Sequence, residues 1–203
     1  MRIDRGALDR HRRAVEGSVA VVARVTPSDL GRPTPCAGWT LADLLAHMVV
    51  QHDGFAAAAR GETTELADWA PRPVGDDVVA VYRKAADGVV GAFGECAPDA
   101  ELWLPEVRGG VGVPAPTALG FHLVDYVVHA WDVAASLGVA SSFAPDDDVA
   151  AHALAVARQV PDGAARTAPG AAFAPALAED GGGAPAQILR LLGRDPAWAP
   201  DGS

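Results

Sequence analysis

Between Thr117 and Leu137 most positions are apolar, yet five polar side chains recur at helical spacing. At about 100° per residue, His122, Asp125, His129, Asp132 and Ser136 gather on one face of a helix, while the opposite face carries Val124, Val127, Ala130 and Val133. A helix on the surface would be charged on that opposite face. This one is therefore expected to be buried all round, with its ionisable stripe lining an internal cavity.

The rest of the chain agrees with helices around it. Aromatic residues make up 6 % of the 203 residues while alanine and valine dominate, which suits closely packed helices better than sheets, and 50 % hydrophobic content is enough for the core of one domain. A formal net charge of −10 repels phosphates and anionic lipid surfaces, so neither nucleic acid nor membrane is expected as a partner. Met1 to Arg13 lacks the apolar core of a secretory signal, and no stretch approaches the roughly 18 apolar residues of a membrane span, which points to the cytoplasm. Cys36 and Cys96 form no CxxC pair, so each reads as a free, buried or half-buried thiol.

Proline and glycine clusters divide the chain into segments. A first helix is expected from Asp4 to Val25, ahead of Thr26-Pro27, with Leu8, Val15, Val19 and Val22 on its inner face. A second begins at the capping box Thr40 and Asp43 and runs to Arg60, ahead of Gly61. A third spans Asp76 to Phe93, opened by the acidic pair Asp76-Asp77. Glu101 to Pro116 reads as an irregular connection with a short hairpin, of the kind that often borders a site. The fourth helix stops at Gly138, and a fifth covers Asp146 to Val160, capped by one of Asp146, Asp147 or Asp148. Residues 1–160 are thus expected to form a metal-binding helical bundle, and 161–203 an irregular Ala/Gly/Pro-rich tail with a short helix over Ala186 to Leu192.

Burying several ionisable groups without partners is costly, so the stripe must pair internally, stay wet or share a cation. Asp125 and His129 lie four apart, over one turn of helix, and can grip one ion; a buried Asp–His hydrogen bond that merely fixes the helix has the same spacing. A third ligand must come from another helix. On the second helix His52 follows the apolar stripe and His47 lies at its edge, so the pattern alone leans to His52. His122 is a candidate acid or base, with a hydrogen-bonded core histidine as the commoner reading, and His11 and His152 read as surface residues. Trp39 and Cys36 read as packing residues, Cys36 because no base adjoins it in sequence. Trp131 and Asp132 are expected to lock the fourth helix to its neighbours, with orientation of a ligand histidine as a second role for Asp132.

Thr34-Pro35-Cys36-Ala37-Gly38-Trp39-Thr40-Leu41-Ala42-Asp43-Leu44-Leu45-Ala46-His47-Met48, with Val128-His129-Ala130-Trp131-Asp132-Val133-Ala134, resembles the mycothiol-dependent maleylpyruvate isomerase branch of the DinB-like superfamily. The ending Arg190-Leu191-Leu192-Gly193-Arg194-Asp195-Pro196-Ala197-Trp198 resembles that of a short, single-domain subgroup. The resemblance implies an all-α four-helix bundle with a divalent metal, zinc or nickel, between helices. It also places the ligands at His47, Asp125 and His129, choosing His47 over His52. The isomerase has Glu where this chain has Asp125, one methylene shorter.

Two imidazoles and a carboxylate leave coordination positions open, the pattern of a catalytic metal. Together with the resemblance, this implies a metal- and thiol-dependent transferase or isomerase, with a mycothiol-like thiol as cosubstrate and a small electrophile as its target. The isomerase carries a larger C-terminal domain where only a short tail follows here. Arg190 and Arg194 are candidates for its anion-binding groups, although surface or helix-end arginines are the commoner reading. Two alternatives stay open: a metal-binding protein without turnover, and a non-haem iron oxygenase built on the same His-His-carboxylate set. A homodimer is compatible with each.

Overall fold

A computed structural model of the chain describes residues 3–75, 77–107, 109–168, 171–178 and 181–200. Among these are helices α1 (Arg5–Val22), α2 (Leu41–Ala59), α3 (Val78–Glu95), α4 (Ala115–Ser136), α5 (Asp147–Ala157) and α6 (Ala184–Leu191), and strands β1 (Glu101–Leu104) and β2 (Val111–Pro114). The fold is an all-α bundle in which α1 and α2 each pack against both α3 and α4, while α5 lies on α4 and α6 on α5. Enclosed in this way, α4 is buried on nearly every side, as its apolar face requires. No helix of the described residues is long and apolar enough to cross a membrane.

Local chemistry sets the helix ends. The Asp4 side chain caps α1, and the Thr40–Asp43 capping box forms at the start of α2, each side chain accepting from the other's backbone N–H. Asp77 caps α3 and Asp146 caps α5, while Asp76, expected to open α3, lies outside the described residues. The connection before α4 is an antiparallel hairpin pairing Leu102 with Val113, and both of these side chains are buried.

The α2 backbone closes against the turn at Leu66–Trp69 through Gly54, where an added Cβ would lie 2.6–2.7 Å from the Trp69 indole. That indole is buried and donates from Nε1 to Thr64 Oγ1 (2.8 Å), so it has little freedom to retreat. Gly54→Ala is expected to lower stability by about 1–3 kcal/mol through overpacking, despite alanine's better helix propensity. A urea midpoint at or above that of the wild type would show that the ring yields freely.

Beyond α5 the backbone is irregular but tied down. Arg166, expected only as part of the irregular tail, is buried and donates to the carbonyls of Val160, Pro161, Ala174 and Leu191. Ile188, Leu189 and Leu192 complete a core cluster with Leu123, Val127 and Trp131 of α4.

Candidate metal centre

Helices α2 and α4 bring His47, Asp125 and His129 together, with one ligand atom from each lying within 4.8 Å of the others. The His129 Nε2 to Asp125 Oδ1 distance is 3.4 Å, and the His47 and His129 rings meet edge to face at 5.3 Å between centroids. His129 is buried, whereas His47 and Asp125 are half-buried, so the group has a dry wall and a wet side.

The two histidines differ electrically. Burial holds His47 down to about 4, with the nearby charges of His129 and Arg194 adding to the effect against Asp125, so His47 is a neutral imidazole at pH 7. Burial acts on His129 in the same direction, but the Asp125 charge and the hydrogen bond to Asp132 outweigh it and raise its pKa well above the ordinary value. The His129 ring thus stands between two carboxylates, with Nε2 toward Asp125 and Nδ1 toward Asp132.

Asp132 is fully buried one turn beyond His129, and its Oδ2 accepts from His129 Nδ1 at 2.9 Å. The contact fixes the His129 ring, and the carboxylate's other bonds tie α4 to its neighbours, so the geometry suits both roles read from the sequence. The same carboxylate accepts from the Cys36 thiol (3.3 Å) and from Arg194, whose Nε lies 3.2 Å from Oδ1 and whose Nη2 lies 3.2 Å from Oδ2. Cys36 is therefore more than a packing residue. Arg194 Nη2 also donates to its sulfur at 3.2 Å, and the loop is fixed by Thr34 Oγ1, which accepts from Cys36 N and donates to the Trp39 carbonyl. Cys36, His129 and Asp132 also converge within 4.8 Å, but the guanidinium already supplies the cation there.

The remaining residues fall elsewhere. His122 is fully buried with both ring nitrogens engaged, Nδ1 at 2.9 Å from His11 Nε2 and Nε2 at 3.2 Å from His52 Nδ1, so it is the core histidine and not a wall of an open site. His11, read as a surface residue, is 1 % exposed and forms part of this chain; His152 is half-buried on α5. His52 stacks on Tyr126 inside the bundle, apart from His47, Asp125 and His129. Arg190 donates to the Ala178 carbonyl, and Arg194 is buried against Asp132, which corrects the surface reading for Arg194. Glu106, in the hairpin turn, accepts from Gln51 one turn beyond His47 (2.9 Å), and burial together with the Asp125 charge raises its pKa. Only its place in a long connection hinted at this position.

Residues 11–134 match the family model of the mycothiol maleylpyruvate isomerase N-terminal domain. The chain belongs to this family. Uncharacterized proteins of two Mycobacterium tuberculosis strains are each 32 % identical to it over 156 residues, covering 73 % of this chain and 75 % of theirs. The crystal structure of the mycothiol-dependent maleylpyruvate isomerase superposes with a TM-score of 0.58 at 18 % identity, over 76 % of this chain and 69 % of that one. A histidine-to-alanine mutant of the same isomerase gives the same values. These two structures share the fold. The matched family region contains His47, Asp125, His129 and Asp132, whereas Arg194 lies beyond it.

Proposed function

We propose that this family member is a metal-dependent thiol transferase or isomerase, in which His47, Asp125 and His129 hold one divalent ion and a mycothiol-like thiol attacks a small electrophile beside it. The observation that carries this reading is the convergence of two imidazoles and one carboxylate on a half-open wall of the bundle. Nitrogen and carboxylate donors of this kind suit zinc, or nickel. When bound, such an ion lowers the pKa of a thiol ligand and supplies it as the nucleophilic thiolate.

The chain's own residues have distinct parts. Asp125 supplies the negative charge that offsets the cation, His47 is neutral and ready to donate its lone pair, and Asp132 orients His129 from behind. Trp39 packs on His47 at 5.0 Å between ring centroids and also lines a groove of about 610 Å³ with Ala46, Arg72 and Val74. Its volume is that of a small-molecule site, and its position supports entry of cosubstrate or electrophile past Trp39. Use of a reduced thiol, with Cys36 and Cys96 themselves free, favours the cytoplasm.

Cobalt-substituted protein tests this reading. Addition of mycothiol is expected to produce a sulfur-to-metal charge-transfer band that saturates with one thiol per ion. An unchanged spectrum at saturating thiol, with cobalt confirmed in place, overturns thiol activation and leaves a metal-binding protein without turnover.

A further inference from the structure

We propose that Arg194, delivered by the segment after α6, is a positioning residue for the metal centre: its guanidinium fork holds the Asp132 carboxylate where it accepts from His129 Nδ1, and thereby aims His129 Nε2 at Asp125 and His47. The inference rests on the metal reading above and extends the site to a part of the chain outside the matched family region.

Asp132 is fully buried, and a carboxylate there persists only if donors surround it. It has three: the Arg194 fork, the Cys36 thiol and His129 Nδ1. An ionised carboxylate can accept but not donate. With Arg194 in place, Nδ1 donates to Asp132 Oδ2, and the opposite edge of the ring, with Nε2, is turned toward Asp125 and His47. Without the guanidinium the Asp132 carboxylate loses the fork that fixes it, is free to turn away from Nδ1, and the His129 ring loses the contact that aims it.

The backbone holds Arg194 to this task. Gly193 has φ +75°, and a Cβ there would lie 2.6 Å from the Ala174 carbonyl oxygen, so the sharp exit from α6 needs glycine. Arg194 N then donates to the Leu189 carbonyl (2.8 Å), while its side-chain Nη1 donates to Leu192 O (3.3 Å). The guanidinium is thus anchored to its own segment as well as to α4.

Zinc affinity by chelator competition, together with 15N chemical shifts of the His129 ring in the zinc-loaded protein, tests the proposal on wild type, Arg194→Met, Arg194→Lys and Asp132→Asn. Arg194→Met and Asp132→Asn are expected to weaken zinc by about 10–100-fold. Arg194→Lys, which keeps the charge, should recover most of that loss. Zinc-loaded wild type should show a protonated Nδ1 and a metal-bound Nε2, a signature diminished in Arg194→Met. A folded Arg194→Met that binds zinc as tightly as wild type, with the same ring shifts, overturns the inference. Failure of wild type to bind zinc at all instead removes the metal reading itself. Should Arg194→Met not fold, Arg194→Lys must still bind more tightly than Asp132→Asn, and the reverse order overturns the proposal.

Discussion

His47→Ala and His129→Ala are each expected to abolish stoichiometric metal binding, while His52→Ala leaves it intact. Loss of one of three ligands should lower affinity by more than the roughly 100-fold upper range for an orienting residue. His52 sits on the same helix as His47 but faces His122 and Tyr126, so its removal should cost about 2–5 kcal/mol of stability through lost packing. Asp125→Asn belongs with the ligand variants, because it keeps the shape and removes the charge that offsets a dication, whereas Asp125→Glu keeps the charge. Metal must also displace the proton that Asp125 and Asp132 hold on His129, so affinity should rise with pH until that proton is lost. Metal content measured on tag-free protein decides the matter: full occupancy in His47→Ala with loss in His52→Ala would reverse the assignment.

The second large effect is acid lability of the metal-free protein. His11, His52 and His122 form a hydrogen-bonded chain between α1, α4 and α2 in the interior, and the outer nitrogen, His52 Nε2, has no hydrogen-bond partner among the described residues. Burial holds His11 down to about 3 and lowers His52 and His122 well below the usual imidazole value, the neighbouring imidazoles adding to it. Unfolded histidines take up protons below about pH 6.5; these folded ones do not. Stability is therefore fully present above that pH and falls as pH drops, by about 1.4 kcal/mol per unit for each histidine that stays neutral in the fold. His47 adds to the loss until about pH 4, while His129, shifted upward, acts in the opposite window, above pH 6.5. With three such groups the loss by pH 5 is about 6 kcal/mol, comparable to the whole stability of many domains. Urea unfolding at pH 7.5, 6.5, 5.5 and 5.0 should show this slope; a flat profile would mean that the chain is protonated in place or opens to water.

Much of the architecture follows from local rules that act within one helix. Thr40 and Asp43 mark the start of α2 because a capping box needs only four residues to satisfy its own N–H groups. Asp125 and His129 share a face of α4 because four residues make about one turn, and the apolar positions around them required that helix to be enclosed. His47 was chosen over His52 by family resemblance alone, since periodicity leaned the other way, to His52 on the apolar stripe.

Other features were decided by tertiary structure alone. His11 stands among Arg10, Arg12 and Arg13 and reads as a surface residue, yet packing of α1 against α4 seals it against His122. Cys36 has no base near it in sequence, and Arg194 ends a helix on what reads as a tail, but the bundle joins both to Asp132. A helical pattern records which way a side chain leaves its own axis and carries no information about what another helix presents across the gap. The sequence by itself therefore determined the helices, the cap that starts α2 and the Asp125–His129 pair, while the packing of distant segments decided where α1 and α5 stop, which imidazoles are sealed, and which cation stands behind the His47–Asp125–His129 group.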